Sequence, residues 1–510
     1  MTALGCLFAA CALALAACGE VSALPDAGEG PPDAAPCDDE TDCPEPASVC
    51  HSERDVCVEC EEQGDCEVGV CNAEVGACEG CTATAECTSP EASLCDEGEN
   101  ACVPCVENAH CDHVEADSIC ELGACNACEL SAVALAGSHT CGLRNNGTLW
   151  CWGNNALGQL GVGTVGDDQS PTTEPARTND EGADWHALDA AGTREENRGH
   201  TCGIRDDGSL WCWGRSSSGE LGLGDDVNVI DAPQRVGDEV DWVDVATGSG
   251  SSCALRDDGA LYCWGDNADG QLALGPDAGD EVASPTQVDV IPNWQHVRLG
   301  DAHGCGIRED GSLWCWGRND AGQLGVGEGV DQALRPREVV SDASWKSVAL
   351  GAAHTCGIQD DDTMWCWGDN SDGRLGLGDG DDNESGDEDE DGLDTSTPVQ
   401  VDEDAAWRAI ALGDAHTCGI RDNDSLWCWG RSTNGQAGTD DRDAVETPEP
   451  IEEDVSWSAL ALGGDQSCAR RTDGALACWG LNDFGQLGNG EVSEAAQPEP
   501  TDVPCPIADE

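Results

Sequence analysis

Positive charge is scarce in this chain of 510 residues: 22 Lys and Arg stand against 102 Asp and Glu, a formal charge of −80. Phosphate contacts need clustered Lys and Arg, so nucleic acid is excluded as an expected partner, and so is electrostatic binding to anionic lipid. Aromatics other than tryptophan are nearly missing, with one Tyr and two Phe against 18 Trp, which points to a repeated motif rather than an ordinary core. Long apolar runs are also missing. The one present, residues 3–17, is too short to span a bilayer and reads as a targeting segment. What the chain has in excess is cysteine, 35 residues, which suits an oxidising compartment and argues against a cytosolic enzyme. Its length allows two or three domains and a sizeable core.

The apolar run ends in Leu15-Ala16-Ala17-Cys18. This resembles the lipobox of bacterial lipoproteins, which implies that Cys18 carries lipid and becomes the mature N-terminus. Gly19 rather than Asp follows it, so the usual inner-membrane retention signal is missing. The resemblance implies an exported protein held at the outer membrane or cell surface only through its lipid. Residues 19–36 are Pro, Gly and acid with little to bury, and read as a disordered tether.

From Cys37 to Cys128 the cysteines recur in register. The units are Cys37, Cys43, Cys50, Cys57; Cys60, Cys66, Cys71, Cys78; Cys81, Cys87, Cys95, Cys102; and Cys105, Cys111, Cys120, Cys125. They lack Trp, Phe and Tyr, so disulfides must stand in for a core. Four cysteines per unit allow three connectivities, and sequence does not choose between them. Cys-x2-Cys pairs such as Cys57 and Cys60 also have zinc-knuckle spacing, although an exported protein favours disulfides.

The rest of the chain repeats about every 50 to 60 residues. Its clearest copy runs from His200 to Gly224, HTCGIRDDGSLWCWGRSSSGELGLG. Trp-Gly steps fall at Trp152, Trp213, Trp264, Trp316, Trp367, Trp429 and Trp479. A second Trp opens six copies, and a third lies two residues before most Trp-Gly steps, where Tyr262 and Ala477 replace it. Alternating apolar residues and Gly-rich turns at this period signal a β-propeller of four-stranded blades. The pattern His-x-Cys…Gly-x-Leu-x-x-Trp-Gly…Gly-Gln-Leu-Gly resembles the regulator of chromosome condensation repeat family. The resemblance implies an all-β fold, a seven-bladed propeller. The family includes guanine-nucleotide exchangers and bacterial inhibitors of other proteins, so fold alone does not set function. The expected organisation is a signal peptide over 1–17, a tether over 18–36, four cysteine-rich units over 37–128 and the propeller over 129–510.

This chain departs from the eukaryotic pattern in carrying two cysteines per copy, always ten apart. The pairs are Cys141 with Cys151, Cys202 with Cys212, Cys253 with Cys263, Cys305 with Cys315, Cys356 with Cys366, Cys418 with Cys428 and Cys468 with Cys478. A three-residue turn such as Asp206-Asp207-Gly208 pairs Arg205 with Ser209 and carries Cys202 opposite Cys212. Asp362 and Asp424 stand in for the turn glycine and tolerate its left-handed conformation. Opposed cysteines in a non-hydrogen-bonded pair are close enough to bridge. Two cysteines remain, Cys128 before the repeats and Cys505 after them. In six copies a Pro-x-x-Val strand precedes the opening Trp. The first copy lacks one, and the last ends with a spare, Pro500 to Val503. The expectation is that this spare strand completes the first copy's blade and that a Cys128–Cys505 disulfide locks the join. The competing assignment puts Cys128 in the small units and leaves Cys505 free.

His139, His200, His303, His354 and His416 share one repeat column in which Ser251 and Gln466 substitute, so the column reads as structural. No catalytic constellation or phosphate-cradling loop stands out, and the chain is not expected to be an enzyme. Asp387, Asp389 and Asp391 resemble the start of a calcium loop, but its twelfth position is Pro398, and a solvated acidic loop is the preferred reading. Strand alternation places the acidic loop 379–394 and the insertion 193–198, with Arg194 and Arg198, on one face of the disc, a candidate binding face. The expected function is a monomeric, lipid-anchored scaffold binding a protein or surface glycan, without a cofactor unless it is calcium. The alternatives are a propeller regulating another protein, by nucleotide exchange or inhibition, and a surface hydrolase with no visible site.

Overall fold

The computed structural model describes residues 130–503 apart from 167–170, 181–183, 194–198, 225–226, 289–291, 379–393 and 440–443, together with eight short strands between residues 49 and 126. The chain divides into two compact units, the larger being residues 126–510 with 114–121. In the smaller stretch, strand pairs such as Val49–His51 with Val56–Val58 form two-stranded ladders. They set Cys50 opposite Cys57, Cys71 opposite Cys78 and Cys95 opposite Cys102.

The larger unit is a seven-bladed β-propeller, each blade a four-stranded antiparallel sheet. In the second blade the strands run Trp185–Ala191, His200–Arg205, Leu210–Arg215 and Val229–Arg235, from the channel outward. Innermost strands of successive blades touch in a closed ring, the last against the first. The core lies between blades. Cys202, Ile204, Leu210 and Cys212 of the second pack with Trp242, Val245, Ala254 and Trp264 of the third.

The hairpin between the second and third strands follows the expected register. His200 opposes Gly214 and Cys202 opposes Cys212, and the match recurs in every blade. Gly208 turns at φ 75°, and Asp362 and Asp424 adopt the same left-handed conformation at 69° and 66°. All seven expected cysteine pairs are disulfides. Cys141 is bridged to Cys151, Cys202 to Cys212, Cys253 to Cys263 and Cys305 to Cys315. Cys356 is bridged to Cys366, Cys418 to Cys428 and Cys468 to Cys478. In each the Cα atoms are 4.1 Å apart, the close approach of directly opposed residues. The glycine of the Trp-Gly step is required twice over. Gly214 has φ 105°, and a Cβ there would lie 2.6 Å from the Gly199 carbonyl. Any other residue would be strained and in collision.

Ring closure departs from the expectation. The last strand, Ser493–Asp502, pairs with Leu476–Asn482 of its own copy, and the first blade draws its outer strand, Thr172–Arg177, from its own copy. Among the described strands none is exchanged between blades. The Pro-x-x-Val strand belongs to the Trp-Gly strand before it, not to the opening Trp after it, so the chain is cut between blades. Cys128 and Cys505 lie outside the described residues. Leu130 and Val503, two residues inside each, share one buried cluster across the first–last seam.

Near the channel the blades meet at a glycine from each inner loop. A Cβ on Gly300 would fall 2.4 Å from the Gly351 carbonyl, and one on Gly351 would fall 2.5 Å from the Gly413 carbonyl. Neither atom is the end of a flexible side chain. Gly351→Ala should therefore lower stability by about 1–3 kcal/mol. Gly279→Ala, whose nearest neighbour is a carbonyl 3.5 Å away, should leave it within about 0.5 kcal/mol. Urea unfolding midpoints of the two variants check the difference.

Candidate functional site

The blades are tied to one another by a polar relay repeated around the ring. The buried indole Nε1 of each Trp-Gly tryptophan donates to a main-chain carbonyl of the preceding blade. Examples are Trp213 to Gln159 at 2.9 Å and Trp367 to Gln323 at 2.9 Å. The hydroxyl next to the histidine column donates to the same carbonyl, Thr201 to Gln159 at 3.0 Å and Thr355 to Gln323 at 2.8 Å. The histidine of the preceding blade completes the set, His139 Nε2 lying 2.9 Å from Thr201 Oγ1 and His303 Nε2 lying 2.9 Å from Thr355 Oγ1.

This relay explains the substitutions in the histidine column. At the closing seam Gln466 Nε2 reaches Thr140 Oγ1 at 3.2 Å and donates to the Ala136 carbonyl at 2.9 Å. The ring is thus sealed by the ordinary seam contact with an amide in place of an imidazole. Between the third and fourth blades Ser251 replaces the histidine and Gly304 the hydroxyl residue, so both ends of the relay are lost together. That seam keeps the bond from Trp316 to the Gln271 carbonyl and adds an ion pair from Arg298 to Asp244 at 3.2 Å.

The histidines are thereby accounted for as structural residues. His200 and Ser252, 2.8 Å apart, have the separation of a nucleophile and its base, as do His416 and Ser467. Both hydroxyls are buried, and each spends its hydrogen on a carbonyl, Ser252 on Glu220 and Ser467 on Gln436. They cannot attack a substrate.

The tryptophans two residues before each Trp-Gly step cap the turns. Trp211 Nε1 donates to Ser209 Oγ at 2.8 Å, and Ser209 Oγ to Asp207. Where Ala260 and Ala475 supply no hydroxyl, Tyr262 and Ala477 replace the Trp. Arg205 and Arg421 stack 3.7 Å over Trp211 and Trp427, so these rings already hold a cation of their own blade rather than an open cage.

The remaining candidate is the central channel and the face where the inner-strand loops and the third-to-fourth strand loops emerge together. The channel has a volume of about 520 Å³ and is lined by all seven inner strands. Its charged groups are Asp189, Asp244, Arg298, Asp301 and Asp414, four carboxylates to one guanidinium. Asp189 accepts from the Thr247 amide at 2.7 Å, yet burial pushes its carboxyl up to about 6. Burial, with Asp301 and Asp465 nearby, holds the Asp414 carboxyl well above its ordinary value. Further out on this face Arg374 pairs with Asp369 at 3.0 Å and Asp372 at 3.2 Å, and Arg431 with Asp372 at 2.9 Å. Asp394 is raised by burial and by Asp369. Carboxylates crowded beyond their cations favour a positively charged visitor.

Antiparallel order within each blade puts the strand ends that carry the inner-strand and third-to-fourth connections on this face and the constant hairpin turns on the other; the loop 379–393 and the insertion 194–198 themselves lie outside the described residues. The suggested contact residues Arg194, Arg198, Asp387, Asp389 and Asp391 lie outside the described residues, and so does Cys18. The fourteen bridged cysteines are brought together in pairs within blades and contribute no side chain to this face, being buried throughout. Among the described residues no group of three His, Cys, Asp or Glu is arranged to hold a metal ion. Sequence reasoning missed the seam hydroxyls, although Thr or Ser follows the column residue in every copy except at Gly304.

Comparison with known proteins agrees with this architecture. Two models described as the Regulator of chromosome condensation (RCC1) repeat match the chain, one at residues 131–159, 242–271, 294–323, 345–374, 407–436 and 457–486, the other at 207–255, 258–307, 310–358 and 361–420. The Ultraviolet-B receptor UVR8 of Arabidopsis thaliana is 27% identical over 64% of this chain and 71% of its own length. The E3 ubiquitin-protein ligase HERC2 of Homo sapiens is 30% identical over 48% of this chain, which spans only 5% of HERC2. Yeast RCC1 (Prp20), solved bound to Kap60, superposes with a TM-score of 0.61 at 21% identity, over 74% of this chain and 85% of that one. Human WBSCR16 gives 0.58 at 19% identity, over 68% and 87%. Together the two repeat models cover more than half of the chain, and the four-stranded blades they mark close here into a ring of seven: the protein belongs to the regulator of chromosome condensation (RCC1) repeat family.

Proposed function

We propose that this protein is a binding scaffold that presents the acidic, variable-loop face of a stapled disc to a protein partner with a basic surface. We further propose that it is exported and held at the bacterial cell surface by lipid on Cys18. One observation carries the binding reading. The hairpin turns on one face keep a constant length in all seven blades, whereas the opposite face carries the long described connections, such as 267–280 and 319–331, and the crowded carboxylates Asp301, Asp394, Asp414 and Asp465. A rigid frame with variation confined to one side is the usual layout of a recognition surface.

The yeast relative was solved bound to a protein, Kap60, which favours a protein over a glycan. The excess of carboxylates favours a Lys- or Arg-rich patch, with binding that weakens as salt screens it. The seam histidines and their hydroxyls leave a hydrolytic reading without support among the described residues.

Capture from envelope and medium fractions, with the full chain as bait, tests the reading. Replacing residues 379–393 with a short Gly-Ser loop should leave the unfolding midpoint unchanged and reduce capture at least several-fold. Asp414→Asn together with Asp465→Asn should weaken what remains. Equal capture by all variants would move binding off this face. The anchor is tested separately: Cys18→Ser should release the protein from the membrane pellet, and unchanged pelleting would remove the lipid assignment.

A further inference from the structure

We propose that the propeller is an acid-opened ring, in which proton uptake by the five buried histidines of its seams drives the blades apart. The proposal rests on hydrogen-bond directions. Each histidine Nε2 lies 2.8–3.0 Å from a hydroxyl of the next blade: His139 to Thr201, His200 to Ser252, His303 to Thr355, His354 to Thr417 and His416 to Ser467. Each of those hydroxyls donates its one hydrogen to a main-chain carbonyl, at Gln159, Glu220, Gln323, Arg374 and Gln436 respectively. The hydroxyl can therefore only accept from the ring. Nε2 carries the proton, the ring is neutral, and Nδ1 is a bare acceptor.

A second proton has to go to Nδ1, and there it finds nothing. In His139, His303, His354 and His416 that nitrogen is buried without a hydrogen-bond partner. It faces a glycine wall: a Cβ on Gly300, Gly351 or Gly413 would sit 2.9, 2.5 or 2.5 Å from Nδ1 of His303, His354 or His416. The charged groups around the rings give little help. His139 faces His200, His354 faces Arg374, His303 and His416, and His416 faces Arg374 and Arg431, all of which oppose a positive ring. Among the described residues Glu220 is the carboxylate that acts on a seam ring, that of His200. For His303 burial alone opposes the charge.

Burial accordingly pulls His139, His303 and His416 down to about 3 and His200 to about 4, with His354 also well below its ordinary value. In the unfolded chain the same rings titrate at about 6.5. A depressed folded value means that the unfolded state binds more protons between those limits. The contribution is fully present above pH ~6.5 and is lost as pH falls toward the folded values. Each histidine shifts the unfolding equilibrium by about tenfold per pH unit in that window, so five acting together reach about 10⁵. Neutralisation of Asp189 and Asp414, whose carboxyls are raised, works in the opposite direction, so the histidine effect has to be isolated by comparison.

The chain contains its own control. Gln466 makes the seam bond with an amide that cannot titrate. The test is the full-length protein against H303Q/H354Q/H416Q, unfolded in urea from pH 7.5 to 4 and followed by tryptophan fluorescence. The two midpoints should lie close together at pH 7.5 and separate as pH falls, the variant retaining up to about 10³-fold more of its folding equilibrium per pH unit. Parallel profiles would overturn the proposal. Should the variant not fold, histidine ring resonances of the native wild type decide the matter. The five buried rings should not titrate above pH 5, and titration of all of them near 6.5 in the folded state would overturn it.

Discussion

Unfolded in denaturant with its disulfides reduced, and diluted into buffer containing a thiol, the propeller should not recover its native tryptophan fluorescence. The same protein unfolded with disulfides intact should refold. Each bridge closes a ten-residue separation on a hairpin and contributes about 2.7 kcal/mol on the loop-entropy model. Seven independent bridges sum to about 19 kcal/mol, more than the ~5–15 kcal/mol net stability of an ordinary domain. The formal charge of −80 works against the compact state as well, so the loss of that term falls on a ring already under self-repulsion. The native protein, by contrast, should resist the same thiol, because the bridged cysteines are buried throughout. A reduced chain that refolds with an unchanged urea midpoint would show that the bridges are incidental.

The second large effect is expected at the seam between the first and last blades. Non-reducing peptide mapping should recover a peptide linking Cys128 to Cys505. The reason is no longer a shared strand, since none is exchanged. Leu130 and Val503 belong to one buried cluster at the junction of the first and last blades, together with Trp152 and Leu476. The two cysteines follow directly outside them in sequence. Such a bridge would close the whole ring and contribute up to about 5–6 kcal/mol, less where the unfolded chain is already cross-linked. Cys505→Ser should then lower the unfolding midpoint and leave capture by the acidic face intact. Cys128 found linked to a cysteine between 37 and 125, with Cys505 open to alkylation, would assign them as the competing reading does.

What was legible from sequence follows from what repeats strictly. The ten-residue cysteine spacing and the turn chemistry of Asp206-Asp207-Gly208 define a hairpin register, and that register alone brings the sulfurs together. The phase of the repeat was not legible. A period has no marked beginning, and the Pro-x-x-Val strand lies between two candidate neighbours, so only the hydrogen-bonding shows that it pairs backward. The histidine column could be recognised as structural because Ser251 and Gln466 appear in it. Its chemistry was hidden because the partner hydroxyl sits one blade further on, 62 residues away for His139 and Thr201. The crowding around Asp414 was equally hidden, since Asp301 and Asp465 reach it from other blades.

Because each blade is one uninterrupted piece of chain, its sheet and its disulfide can be finished before the next piece has been made. The cysteine that follows first is in each case the correct partner, so oxidation in order of synthesis gives native pairing without reshuffling. Sheet contacts are local, and only the join between the first and last blades spans the sequence. Folding of this kind has a low contact order within blades and a single long-range closing event. Its slow step is then the docking of the seventh blade on the first, made through Gln466, Thr140 and Trp152. A chain interrupted one blade early would leave an open ring, with Ile420 and Leu426 of the sixth blade stripped of the seventh-blade Trp457 and Trp479 that cover them.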